Sequence, residues 1–217
     1  MAKSQGQRGG RGTLTRERIL GAALTIIEGE GIDALTMRRL ATDLGVVPTA
    51  IYWHVRNREE LRRGVLDLVM EGIELALPSP DGAWDDQLRK LCHTIRTEMS
   101  AHPFVFSLGD GRPTRSIGPV TTALVRLVRD AGHGEAASAE IAIMLLDYAV
   151  GTAYTRTHGD TSDESVARWV ASGSATPSEV VEIMRFREHA DRDAAFGRGL
   201  DLMIDGIRAG APAQPDP

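Results

Sequence analysis

The chain has 217 residues, 42% hydrophobic and 25% charged, which suits one or two soluble globular domains. No apolar run approaches a bilayer span, no signal-peptide core opens the chain, and the lone Cys92 excludes an intramolecular disulfide, so a reducing cytoplasm is the expected compartment, with no membrane partner. The net charge of −5 argues against nucleic-acid binding until it is divided: residues 1–64 carry 11 Lys+Arg against 7 Asp+Glu (+4), and the remainder 14 against 23 (−9).

Residues 1–13 hold Lys3, Arg8 and Arg11 among Gly, Gln and Ser, too few apolar groups to order alone; they read as a disordered basic tail or as an arm on DNA. From Thr15 to Gly29, Ile19, Leu20, Ala23, Leu24 and Ile27 recur at helical spacing. In the segment 35–55, Thr36 can cap a helix whose Leu40 and Leu44 share an inward face, Gly45 suits a left-handed stop, and Pro48 suits the first turn of a second helix, 48–55. Two helices across so tight a turn make a helix-turn-helix, whose second helix enters the major groove. The expected DNA-binding domain is 14–60.

Asn57-Arg58-Glu59-Glu60 resembles a capping box. It opens a connecting helix over 58–77 that stops at Pro78-Ser79-Pro80; residues 61–209 are the expected helical body, with 61–77 as its connecting part. Further helices are expected at 84–101, 114–131, 135–157, 178–190 and 193–209, with irregular chain at 102–113, a loop at 158–177 and a disordered tail at 210–217. Alternating period-2 segments are absent, so the expected fold class is all-α.

The second helix of the motif lacks the usual Glu/Lys face. Val47, Pro48, Thr49 and Ala50 form a small, mostly apolar edge suited to base edges and thymine methyls. Tyr52, Trp53 and His54 can donate to phosphate oxygens while Ile51 and Val55 anchor the opposite face; the alternative is that Tyr52 and Trp53 are core aromatics. Arg38 can contact guanine bidentately, and Arg39, Arg56 and Arg58 can clamp phosphates.

Thr36-x-Arg38-x-Leu40-Ala41-x-x-Leu44-Gly45-Val46 followed by Tyr52-Trp53-His54-Val55-x-Asn57-Arg58 closely resembles the DNA-binding domain of the tetracycline repressor family. The resemblance is strong over about 15–75 and weaker through Trp84, His102-Pro103 and Arg112-Pro113-Thr114 to Gly151. It implies three N-terminal helices, a connecting helix, and a ligand-binding, dimerising helical body. By position it makes Thr36, Arg38, Pro48, Thr49, Ala50, Tyr52, Trp53, His54 and Arg58 the expected DNA contacts on a palindromic operator. It also places the homodimer interface on the helices matching 135–157 and 193–209, where Phe196, Leu200, Met203, Ile204 and Ile207 make an apolar stripe.

The expected effector is a small hydrophobic molecule, in a pocket drawn from Leu91, Ile95, Met99, Phe104, Phe106, Leu124, Met144, Asp147, Tyr148 and Tyr154. The family's metal-chelated tetracycline site is not preserved: its chelating histidine aligns with Ser107, two drug contacts align near Ile73 and Leu91, and its acidic partner near Thr155. No metal or cofactor is expected. Catalysis is not expected either, because Asp81, Asp85, Asp86 and His93 scatter over helix surfaces and neither a nucleophile elbow nor a phosphate loop is present. A nucleoid protein would not require so long an acidic, apolar body. Whether the regulator represses or activates is left open by the residues.

Overall fold

The structure is a computed structural model that describes residues 13–74, 82–108, 117–158 and 191–212, with individual positions between 167 and 182. Residues 1–12 of the expected arm, the helix end at 75–77, residues 109–116 of the expected irregular stretch and following helix, most of the 158–177 loop, most of 178–190 and the end of the tail lie outside the described residues. Among the described residues every regular element is a helix, so the fold is all-α. The helices are α1 (Arg16–Glu30), α2 (Met37–Leu44), α3 (Pro48–Tyr52), α4 (Arg58–Glu74), α5 (Trp84–Ala101), α6 (Val105–Leu108), α7 (Ile117–Asp130), α8 (Glu135–His158) and α9 (Arg192–Gly210), with a 3₁₀ turn at Ile32–Ala34. The chain divides into two compact units, Met1–Leu68 and Val69–Pro217, at a point inside α4; the sequence alone placed the boundary at 60.

In the first unit, local chemistry sets the helix ends. The Thr15 hydroxyl accepts from the Arg18 N–H (3.2 Å) and opens α1. The Thr36 hydroxyl accepts from the Arg39 N–H (3.0 Å) and opens α2. Gly45 closes α2 at φ 66°, a left-handed geometry that costs glycine no Cβ clash, and its N–H returns to the Ala41 and Thr42 carbonyls. Pro48 begins α3 where a missing N–H loses nothing. Asn57 Oδ1 accepts from the Glu60 N–H (2.8 Å), but the Glu60 carboxylate reaches the Arg56 N–H (2.9 Å), one residue earlier than a capping box requires.

Ile19, Leu20, Ala23, Ile26 and Ile27 of α1 form a core with Leu35, Leu40, Ala41, Ile51, Val55, Leu61 and Val65. Ile26 fills the place expected for Leu24, which is only half-buried, as is Leu44. The face of α1 is rotated slightly from the sequence reading because Ile26 and Ile27 both turn inward.

In the second unit α5 packs on α7 and α8, and α9 packs on α5 and α8. The buried positions of α8 are Ser138, Ala142, Leu145, Ala149 and Ala153; three alanines allow the neighbouring helices to approach closely. Three ion pairs register α9 antiparallel to α5: Asp85–Arg208 (2.8 Å), Arg89–Asp201 (2.8 Å) and Arg96–Asp193 (2.6 Å). The first two are solvated and contribute little to stability.

Against the sequence expectation, α8 reaches the length and mean hydropathy of a spanning helix (22 residues, 1.3) over Glu135–Arg156. It also carries Glu140 and Asp147 mid-helix and lays an alanine-rich face on α5 and α7.

Cys92 lies fully buried on α5. Burial pushes its thiol up to about 12. The thiolate is the reactive form, so iodoacetamide at pH 8 should leave Cys92 unmodified in the native protein and alkylate it in urea, as read by intact mass. Rapid native alkylation would contradict this burial.

Candidate nucleic-acid interface and effector cavity

Four residues make α3 a presented helix. Ile51 and, just beyond its end, Val55 are fully buried and fasten it to the first unit. Opposite them Pro48, Thr49, Tyr52 and Trp53 recur at i, i+1, i+4 and i+5, and all are exposed. Trp53 is 89% exposed and Tyr52 47%, so neither ring is a core aromatic.

Helix α3 is shorter than the two turns expected, ending at Tyr52. Its last turn is extended by the His54 and Val55 N–H groups, both donating to the Ile51 carbonyl (2.9 and 3.0 Å). His54, beyond that turn, is half-buried.

Thr36, Arg38, Val47 and Arg58 are also exposed, and Ala50 is half-buried. Thr36 uses its hydroxyl oxygen as the α2 cap. Arg39 is placed differently from the expectation. Its Nη2 donates to Glu30 (2.6 Å) and its Nη1 to Asp43 (3.1 Å), so two carboxylates already hold the guanidinium expected to clamp phosphate. Nothing local in the sequence announced Glu30, nine residues away across the 3₁₀ turn.

The second unit contains a cavity of about 400 Å³. Arg96 of α5, Tyr148, Thr152, Thr155 and Arg156 of α8, and Arg192, Ala195 and Phe196 of α9 line it. Of the ten residues expected around a pocket, Tyr148 alone belongs to this lining. Leu91, Ile95 and Leu124 are fully buried and Met99 nearly so, in closed core. Met144 and Asp147 face outward on α8. Phe104 packs edge-on against His102, and Phe106 edge-on against Tyr154, which is itself exposed. An apolar stripe at helical spacing marks the packed side of a helix, and spacing alone does not separate a cavity wall from solid core.

Arg96 is 4% exposed, with its guanidinium over the Phe196 ring at 4.7 Å. Its Nη1 and the Arg156 Nη1 both donate to Asp193 Oδ1 at 2.6 Å. The Arg96 hydrogen bond is the main cause holding the Asp193 carboxyl below the usual carboxylate range. Its folded value is lowered, so this bridge is complete at neutral pH and is lost as acidification passes through the depressed value.

The Tyr148 and Phe196 rings stack at 5.1 Å and 10°, and the Tyr148 hydroxyl donates to the Phe196 carbonyl (3.1 Å). Burial raises the Tyr148 hydroxyl, which stays protonated as that donor. Gly199 sits against the Tyr148 hydroxyl, where any Cβ would collide with it.

The dimer stripe also needs correction. Phe196, Leu200, Ile204 and Ile207 are buried inside their own protomer, and Met203 is half-buried. The apolar residues left exposed on α8 and α9 are instead Ile143, Met144, Tyr154 and Leu202. The helices expected at the interface therefore keep an outward apolar face, on different residues.

A helix-turn-helix with a presented ring-bearing helix, followed by a separate helical unit with a cavity, defines a helix-turn-helix transcription regulator. Residues 19–65 match the bacterial regulatory proteins of the tetR family, and residues 77–210 match the tetracyclin repressor-like C-terminal domain. The chain belongs to the tetracycline repressor family of DNA-binding transcriptional repressors.

It is 30% identical over 203 residues to the Escherichia coli tetracycline repressor protein class C, covering 89% of this chain and 90% of that one. The TetR family protein ActR of Streptomyces coelicolor, solved in complex with actinorhodin, is 27% identical with a TM-score of 0.74, over 93% of this chain and 99% of ActR. BioQ, whose Mycobacterium smegmatis form has been solved, also has a structure with its double-stranded DNA operator; that chain is 26% identical with a TM-score of 0.63, over 91% and 99%.

Proposed function

We propose that the protein is an effector-responsive repressor that binds a palindromic operator in the cytoplasm as a homodimer and leaves it when a small, largely aromatic molecule occupies the second unit. The observation carrying the operator reading is the exposure of Tyr52 and Trp53 on a helix whose other face, Ile51 and Val55, is fully buried. Such a helix is fastened to the fold and offers its rings outward. Thr49 and Ala50 meet base edges, Arg38 reads guanine, and Tyr52, Trp53, His54 and Arg58 meet phosphates. Arg39 supports this surface through Glu30 and Asp43. BioQ, solved with its operator, supports the DNA partner.

The exposed apolar face Ile143, Met144, Tyr154 and Leu202 supports a second copy as its cover, because a two-fold dimer presents two reading helices to successive major grooves. The effector reading rests on the cavity with its stacked Tyr148–Phe196 wall and on ActR, solved with actinorhodin. Release follows only if the effector binds one separation of the two reading heads better than the other.

Selection of bound duplexes from a random pool at physiological salt should recover a two-fold symmetric motif. Light scattering on the protein–DNA complex should return one dimer per site. Enrichment of an asymmetric single half-site, or a monomer on the selected duplex, would sink this reading.

A further inference from the structure

We propose that the effector is a planar aromatic acid whose carboxylate is held by Arg96 and Arg156 and whose ring stacks along the Tyr148 wall. This rests on the reading of the cavity as the effector site and adds the chemical class of its ligand.

Charge carries the argument. Arg96 and Arg156 share a single carboxylate oxygen, Asp193 Oδ1. Asp193 lies outside the lining, which among the described residues contains no Asp or Glu. Two guanidiniums therefore meet one anion at the wall of a cavity. Arg96 is also 96% withdrawn from solvent (4% exposed); its Nη2 donates to the Arg192 carbonyl (3.2 Å), but its Nε–H is buried with no hydrogen-bond partner. Two guanidiniums on one carboxylate leave positive charge in excess at this wall, and an arriving carboxylate supplies the missing counter-charge. The guanidinium fork suits a carboxylate's two oxygens.

The same wall selects a flat ring. Phe196 is covered on its own sides by Arg96, by the His93 edge at 4.9 Å and by Tyr148, so Tyr148 is the ring that meets the cavity in depth. The Thr152 hydroxyl donates to the Tyr148 or Ala149 carbonyl, and the Thr155 hydroxyl to the Thr152 carbonyl. Both protons are committed to the helix, which leaves oxygen lone pairs to accept from a ring hydroxyl. An alkylammonium-bearing ligand would meet the guanidiniums with like charge, and a neutral ring would leave the excess positive charge unanswered.

The test titrates 2-naphthoate, anthracene-2-carboxylate and 1-hydroxy-2-naphthoate into the full-length protein by calorimetry, each beside its carboxamide, at low and high salt. At least one acid is expected to bind tenfold or more tightly than its amide. Arg156→Gln should erase that preference by tenfold or more while leaving the amide affinity within about twofold. Asp193→Asn, which removes the competing internal carboxylate, should tighten the acid several-fold, the opposite of what loss of a purely structural pair would do.

Equal affinity for acid and amide, no effect of Arg156→Gln, or failure of all three acids at millimolar concentration overturns the proposed class. A cavity-filling Ala195→Trp separates the two levels of the argument. If it abolishes binding of acid and amide alike, the effector site stands whatever the charge result. If acid binding survives it, the cavity is not the site and both readings fall.

Discussion

Trp53→Ala is expected to weaken operator binding roughly 100-fold or more with the protein's stability nearly unchanged. The ring is 89% exposed, so it contributes almost nothing to the core, and surface substitutions of this kind stay within about 0.5 kcal/mol. A hydrogen bond to a charged phosphate is worth about 1.5–3 kcal/mol, and a two-fold dimer loses it twice. Tyr52→Ala should act in the same direction. The measurement is a gel shift or anisotropy titration on the selected operator, beside a thermal melt and a light-scattering mass. Unchanged affinity with either variant rejects α3 as the reading helix.

Ile51→Ala should have the complementary signature, with stability and DNA binding failing together. Ile51 is fully buried, and removing such a side chain leaves a cavity that costs about 2–5 kcal/mol. Its loss also unfastens α3, since the His54 and Val55 N–H groups both return to the Ile51 carbonyl and rely on that turn being held in place. Urea titration with amide exchange on α1 to α3 reads the loss. The second unit, with its own core on α5, α7, α8 and α9, should keep its protection. A cost under about 1 kcal/mol would mean that α3 is held by something other than this anchor.

The pair of variants separates two roles within three residues of chain. Trp53 is all surface and Ile51 all core, and they differ by only two positions on a helix of little more than one turn.

The reading helix was legible in the sequence because its signals are local. A hydroxyl at 36, a glycine at 45 and a proline at 48 each act within one turn of chain, and the hydrogen bonds they predict are present at Thr36 and Gly45. Helix α5 was placed at its observed ends for the same reason, by periodicity and the chain break before Trp84. The 15-residue α1 differed only in which apolar residues turn fully inward.

What failed were statements needing a distant partner. Arg39 looked like a free clamp until Glu30 and Asp43 were found on it. The stripe on α9 looked like a dimer face, but α5 and α8 consume Phe196, Leu200, Ile204 and Ile207. The cavity was sought among apolar residues, yet its walls are three arginines, two threonines, a tyrosine, a phenylalanine and an alanine. Sequence periodicity reports that a side chain leaves water, and it is silent on whether a neighbour, a ligand or a second chain receives it.

By itself, then, the sequence determined the all-helical class, the family, the basic reading end and the identity of its exposed rings, all consequences of short-range hydrogen bonding and helical period. The cavity of the second unit and its arginine-rich lining follow from tertiary packing alone. Arg96, Arg156 and Asp193 stand 60 and 37 positions apart in succession, and their shared hydrogen bonds exist only because α9 packs antiparallel on α5 beside α8.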